Sequence, residues 1–489
     1  MKERYHAIDA LRVFAMLSVV FLHSSISYMP TKLPDLLWAA RDSAAHPFFD
    51  WLFLWIRGLT MRIFFLVAGF FAVKLYQDLG PIEFLQNRRR RILIPFLVGS
   101  LIILPITYCI WSYGWLLSGQ CDLSQVLRAE FNDDIQKNLY GPAHLWFLEY
   151  LLIFYFIYFL VRSFVPASKN EGVSFGGVWI ERILFSPLRP FFLAIPSILI
   201  LWFKIDVVIN FRNTFMPDPF KLLYYGVFFF VGVWLYRFRE KLKRFTSFGF
   251  FYLLLSVPVF ICMGLLLKKH FVRPLVGLEH LALASAISLF AWLSVFAALA
   301  IFMRFLNKGR PLIRYISSAS YWVYLSHFPV VAVTQLIILP MDVPVALKFS
   351  VSVLTALAFG FLTYEFIVRN TLIGACINGR VSESRLMAYP FTLRARLGFT
   401  FVVLMVVITG GVSFQNYYHH EKIRYEKAIT DYYREYLHRE PDANGLRHWT
   451  AWALGRWGLE KVEEEGFLKA PERMEILKRM GGGISDRAR

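Results

Sequence analysis

The sequence predicts an all-α fold: a polytopic transmembrane helix bundle followed by a small α-helical tail outside the membrane. Three observations predict it. Of 489 residues, 57% are hydrophobic and only 18% charged, where a soluble domain carries roughly 45–50% apolar and about 25% charged residues. The apolar residues are gathered into eleven long runs, each approaching the roughly 20 residues that cross a bilayer. Lys and Arg collect in alternate connections between those runs, as the positive-inside rule requires.

The runs cover about 11–29, 51–74, 92–116, 144–163, 190–210, 220–236, 249–267, 280–303, 316–338, 345–367 and 398–414. The first follows a short basic start (Lys2, Arg4), lacks a small-residue cleavage site and carries Arg12 and His23, so it reads as a retained helix. The fifth is interrupted by Lys204 and Asp206. With a cytoplasmic N-terminus, the inner connections hold Arg88 to Arg91, then Lys169, Arg182 and Arg189, then Arg237 to Arg244, then Lys308, Arg310 and Arg314. The main outer exceptions are Lys268, Lys269 and Arg273. Residues 371–397 form a basic cytoplasmic linker, 398–416 an additional helix that carries the chain out again, and 417–489 an extracytoplasmic tail. That tail reads as helical, with a turn at Pro441-Asp442-Ala443-Asn444-Gly445.

The net charge of +19 suits membrane anchoring and contact with anionic lipid; no nucleic-acid module is present, so no nucleic-acid partner is expected. Cys109, Cys121, Cys262 and Cys376 have no metal-type spacing, and neither a metal site nor a disulfide framework is expected.

Ionisable residues within membrane helices are costly, which makes each one a functional candidate. Arg12 and His23 are eleven residues apart, about three helical turns, so they share a face with His23 about 16 Å further along. Asp9 can pair with Arg12 three residues on. A neutral imidazole is an inexpensive general base to bury; the plainer alternative is a histidine bonding a neighbouring helix. Arg88-Arg89-Arg90-Arg91 opens the third helix, and guanidinium forks bind phosphate, although plain anchoring also explains the cluster. His144-Leu145-Trp146-Phe147-Leu148-Glu149 opens the fourth helix on the outer side. There Glu149 is placed to orient an imidazole or hold a hydroxyl, against an interfacial Trp belt with a packing Glu. His327, in Ser326-His327-Phe328-Pro329, falls near the depth of His23 and is placed to share a cavity with it; the alternative is a polar residue that satisfies backbone near Pro329. Arg57 and Arg62 lie in the second helix, where Arg62 suits either a carboxylate on a transferred group or an acidic neighbour.

These pieces together resemble the acyltransferase-3 family of membrane acyltransferases. Ile8-Asp9-Ala10-Leu11-Arg12 followed by His23 is similar to its Arg-x10-His signature. Met61 to Phe70 resembles its second-helix segment, and Phe84, Arg88, Arg91, Ile92 and Pro95 fit its Phe-x3-Arg-x2-Arg-Ile-x2-Pro pattern. His144 to Leu148, Tyr324 to Pro329 and Tyr364-Glu365 match later positions, so the likeness spans roughly 5–370. Within the family, the double-Phe second helix and the His-Leu-Trp-Phe-Leu stretch look most like the periplasmic glucan biosynthesis protein C (glucan succinyltransferase) type. The eleventh helix and the tail depart from that type's plain ten-helix core. Residues 432–449 resemble the DUF4214 repeat of secreted and surface proteins.

The resemblance implies an acyltransferase-3-like domain over residues 1–370 in a bacterial cytoplasmic (inner) membrane. It implies transfer of an acetyl or succinyl group from cytoplasmic acyl-CoA to hydroxyls of an extracytoplasmic glycan. His23 acts as base with Arg12 and Asp9 beside it, and Arg88, Arg89, Arg90 and Arg91 hold the donor's phosphates. His144, Trp146, Glu149, His327 and Arg62 remain as substrate contacts. Acyl-CoA is then a co-substrate, no cofactor is tightly bound, and the tail is available to an envelope or glycan-synthesis partner. Two other readings stay open: a proton-coupled transporter or flippase, for which intramembrane Arg, His and Glu are also suited, and a scaffold that has lost catalysis.

Overall fold

The computed structural model describes residues 5–164, 175–211, 213–369, 374, 421–454 and 458–479. Among the described residues every regular element is helical, and nine helices are long and apolar enough to cross a membrane, or ten if one bent pair counts as a single span. The predicted run at 398–416 and, apart from Gly374, the 371–397 linker lie outside the described residues.

Two compact units are present: Met1–Ile110 with Lys137–Ala395, and Trp111–Gln136 with Arg396–Arg489. In the first, the helices are α1 (His6–Ser25), α2 (Pro47–Leu79), α3 (Pro81–Arg88) and α4 (Ile94–Leu117), which continues into the second unit. After two short helices, α5 (Leu123–Arg128) and α6 (Asp133–Leu139), come α7 (Trp146–Phe164), α8 (Phe175–Phe185), α9 (Arg189–Phe203) and α10 (Asp206–Ile209). The membrane-length series closes with α11 (Pro219–Arg237), α12 (Gly249–Val272), α13 (Gly277–Phe305), α14 (Pro311–Ile338) and α15 (Val345–Thr363).

The fifth predicted run, 190–210, is not one helix. It is α9, bent by 114° against the end of α8, and it stops at Lys204. Pro187 and Pro190 flank the bend, and a proline ring disfavours helical backbone at the residue before it. Lys204 is used as an end, its Nζ 2.9 Å from Asp218 Oδ2, and Asp206 opens the separate α10.

Helix α1 sits inside the bundle, packed by α2, α13, α14 and α15. Its pairing with α14 is parallel, since Arg12 meets Ser317 and His23 meets His327, ascending both helices together. The α2–α11 crossing is closer still. A methyl on Gly69 would fall 1.8 Å from the Phe229 carbonyl oxygen, and one on Gly232 would fall 1.9 Å from that of Leu66. Small residues let membrane helices meet backbone to backbone.

Between α3 and α4 lies a π-turn, Arg89–Leu93. Pro95 has no N–H, so the Arg91 carbonyl loses the amide that an α-helix would offer it, and the helix widens where that bond is missing.

In the second unit, Tyr425, Ile429, Tyr433 and Leu437 recur every four residues along helix 421–437 and build a core with Leu454, Val462 and Phe467. The predicted turn at 441–445 is the start of helix Ala443–Trp452: Asp442 Oδ1 accepts from the amides of Asn444 (3.1 Å) and Gly445 (2.8 Å). These amides, Gly445 foremost, hold the Asp442 carboxyl below its ordinary range. Within the same unit, Arg424 reaches Asp122 at 3.9 Å.

Candidate functional site

Two contacts between α1 and α14 define the site. Arg12, half-buried near the start of α1, donates through Nη2 to Ser317 Oγ and lies 3.5 Å from Asp9 Oδ1. Three turns further, His23 Nδ1 stands 2.8 Å from His327 Nε2. The rings are near-parallel, 17° apart, with centroids at 5.1 Å.

The hydrogen-bond chain fixes the protons. His327 Nδ1 is 2.7 Å from the Tyr324 carbonyl, which can only accept, so Nδ1 carries the hydrogen. In neutral His327, Nε2 is then a lone pair and must accept from His23 Nδ1–H. The proton of His23 is thereby placed on Nδ1, and its Nε2 is left as a bare acceptor with no hydrogen-bond partner among the described residues. His327 is fully buried, whereas His23 keeps some exposure.

His144 enters from the turn before α7. Its ring stacks on Phe328 at 4.6 Å and stands 5.5 Å from His327. Its Nε2 donates to the Leu325 carbonyl at 3.1 Å, while buried Nδ1 has no hydrogen-bond partner among the described residues. Tyr324, whose hydroxyl donates to the His144 carbonyl at 2.5 Å, ties α14 to this turn. Trp38 stacks on His23 at 6.1 Å and donates to Gln335 Oε1 at 2.9 Å; Gln335 Nε2 donates in turn to the Ser24 carbonyl. Trp38 and Gln335 carry no pattern that sequence reasoning could use, because each matters only through contacts to residues far along the chain, whereas Tyr324 falls in the Tyr324 to Pro329 segment and only its bond to the His144 carbonyl lies beyond local pattern.

The Arg88–Arg91 cluster divides. Arg88 and Arg91 are half-buried, while Arg89 and Arg90 are exposed. The Arg88 guanidinium lies 4.8 Å over the Tyr155 ring and is close enough to Tyr321 to act on its hydroxyl electrostatically. Tyr321 is one turn of α14 beyond Ser317, so Arg12 and Arg88 approach the same stretch of α14. At the same end of the bundle, His6, Asp9, Lys308, Arg310 and Arg314 line a small pocket.

Glu149 departs from one of the readings open to it. It does not orient His144, whose ring is held by the Leu325 carbonyl; it is half-buried within electrostatic reach of Lys221. Arg62 has no acidic neighbour at ion-pair distance among the described residues: its Nε and Nη2 donate to Tyr224 Oη at 3.3 and 3.1 Å, and Nη1 donates to the Arg57 carbonyl. Trp146 lies two residues beyond His144, and the Lys221 ammonium sits 3.6 Å over its ring. Just before α11, burial alone would raise the Asp218 carboxyl, but Lys204 and the amides of Lys221 and Phe220 hold it below its ordinary range.

No curated protein and no solved structure matches the chain at a significant level. The family model described as an acyltransferase domain matches residues 5–365, from the start of α1 to just beyond α15, and takes in every residue of the α1–α14 seam. This integral membrane protein belongs to the acyltransferase-3 family.

Proposed function

We propose that the protein moves an acyl group, acetyl or succinyl, from a cytoplasmic acyl-CoA to hydroxyls of an extracytoplasmic glycan, with His23 as general base. The observation that carries this reading is the seam itself: Arg12 and His23 share one face of α1, and His327 leaves His23 Nε2 as the bare lone pair.

The bonds balance without further reactants. His23 Nε2 takes the acceptor hydroxyl's proton as the oxygen attacks the thioester carbonyl. The tetrahedral intermediate collapses, the C–S bond breaks, and the coenzyme A thiolate leaves with the proton held on His23 Nε2. The inward pair Arg88 and Arg91 holds the donor's phosphates by charge-assisted bonds, with Arg89 and Arg90 adding charge. The acyl arm runs along the α1–α14 seam past Arg12, which Asp9 and Ser317 steady. His144 Nδ1, an acceptor without a partner among the described residues, takes a second hydroxyl of the sugar, and Trp146 offers it an aromatic face. The chain lies in the bacterial inner membrane with its N-terminus in the cytoplasm. Its tail is outside, where it is open to an envelope or glycan-synthesis partner.

The test uses purified protein in lipid nanodiscs with acyl-CoA and envelope glycan. Wild type should release coenzyme A and leave an acyl ester on the glycan, and His23→Ala should do neither. Substrate movement across sealed vesicles without acyl transfer would replace this reading with the transporter.

A further inference from the structure

A second group of charges lies beside the histidines, unused by that mechanism. Arg57, Arg62 and Lys221 all sit within the membrane-crossing part of α2 and α11. Arg62 is 1% exposed. Arg57 stacks 3.7 Å over the Phe211 ring and donates to the carbonyls of Ile209 and Asn210 at 3.2 and 3.4 Å. Lys221 stands over Trp146 and, at 5.3 Å, over Tyr150. Arg57 lies between the other two in electrostatic terms, within reach of Arg62 on one side and of Lys221 on the other. None has a carboxylate at ion-pair distance among the described residues.

The nearby acids do not balance them. Asp218 is taken by Lys204 at 2.9 Å and by the amides of Phe220 and Lys221. Among the described residues that leaves Glu149, with Oε2 buried and lacking a hydrogen-bond partner there. Two guanidinium groups and an amine thus face one carboxyl group, in an apolar medium where unpaired charge is expensive. Backbone carbonyls and aromatic faces lower that cost and leave the excess charge in place.

We infer that this cluster is an anion subsite, and that its ligand is a carboxylate carried by one of the two substrates. The walls suit such a group: Trp146, Tyr150 and Tyr225 offer aromatic surface to a short hydrocarbon or a sugar ring, and the cations hold its charged end. The subsite adjoins the histidines through the turn that bears both His144 and Trp146. Phe65, one turn beyond Arg62, packs on Phe147 at 5.0 Å and Tyr225 at 4.8 Å and closes the gap. A carboxylate bound here would leave its parent molecule reaching towards His23. A neutral acetyl group gives the cluster nothing to bind. The inference rests on the acyl-transfer reading and narrows it: the carboxylate belongs either to a dicarboxylic acyl group or to an acidic acceptor sugar.

The experiment measures coenzyme A release by the full chain in nanodiscs. One arm compares succinyl-CoA with acetyl-CoA on one envelope glycan fraction. The other compares that glycan with the same material after amidation of its carboxylates, using acetyl-CoA. Wild type, Lys221→Met and Arg57→Gln are run in parallel, with a thermal melt of each to establish folding; Arg62 is too buried to be the first variant. A wild-type preference for succinyl-CoA that falls at least tenfold in both variants places the carboxylate on the acyl group. A wild-type preference for unamidated glycan that falls likewise places it on the acceptor. If folded variants keep the wild-type ratios in both arms, or lose turnover equally with every substrate, the subsite is wrong. If wild type releases coenzyme A from neither donor, the acyl-transfer reading itself fails.

Discussion

Two helix seams hold the bundle together by opposite means. Along α2–α11, Gly69 and Gly232 remove side chains so that backbones touch. Along α1–α14, polar side chains are inserted where apolar packing would serve better: Arg12 on Ser317, His23 on His327. The first seam needs only space. The second puts ionisable groups into an apolar medium and keeps them there with carbonyl and hydroxyl partners. On the proposed function, its polarity serves acyl transfer.

That contrast can be broken or sharpened by substitution. Gly232→Leu should have the largest effect, since even its Cβ lands on the Leu66 carbonyl; monodisperse protein should be lost on detergent extraction. Normal yield would show the α2–α11 approach to be looser than described. His23→Ala should lower acyl transfer by about 10²–10⁴-fold, the span of general base catalysis, with the melt nearly unchanged. His327 separates positioning from packing. His327→Leu removes the acceptor for His23 Nδ1–H and should reduce kcat about 10–100-fold, in line with the cost of about 1–3 kcal/mol for leaving a buried polar group unsatisfied. His327→Gln, whose Oε1 can accept, should recover much of that loss while KM for acyl-CoA stays put. Equal losses in both would reduce His327 to a packing residue.

The smallest effect belongs to the tail. Asp442→Ala removes the cap of helix Ala443–Trp452, and hydrogen exchange in the full chain should show faster exchange confined to that helix. The Asp442 carboxyl is depressed by the Gly445 and Asn444 amides. Its stabilisation is therefore complete above the ordinary carboxylate pKa and is lost as pH falls through the lower folded value. Protection that does not change with acid in this range would contradict the cap.

Much of this was legible because bilayers impose long apolar runs and helices impose fixed spacing. Arg12 and His23 could be put on one face from their separation alone. The partner of His23 could be suspected from depth, but the contact joins residues 304 apart in sequence, and no local pattern fixes which α14 residue faces α1. Proton placement on His23 depends on the Tyr324 carbonyl, which every residue type supplies equally. Of the readings open for Glu149, pairing with His144 is the one the structure does not form: one helical turn is close enough to suggest it, whereas α11 brings Lys221 to the carboxyl. In the fifth span the sequence marks the interruption at Lys204 and Asp206, but the partner that holds Lys204 at the helix end, Asp218, is not given by any local pattern.

The most direct test of the central claim is mass spectrometry of envelope and secreted glycans. The cells should lack the gene and be complemented with wild type or His23→Ala. A substituent lost on deletion, restored by wild type and not by His23→Ala at equal membrane abundance is the predicted result, and its mass names the acid. Restoration by His23→Ala, or no glycan that changes mass while wild type is expressed, would contradict the role given to His23.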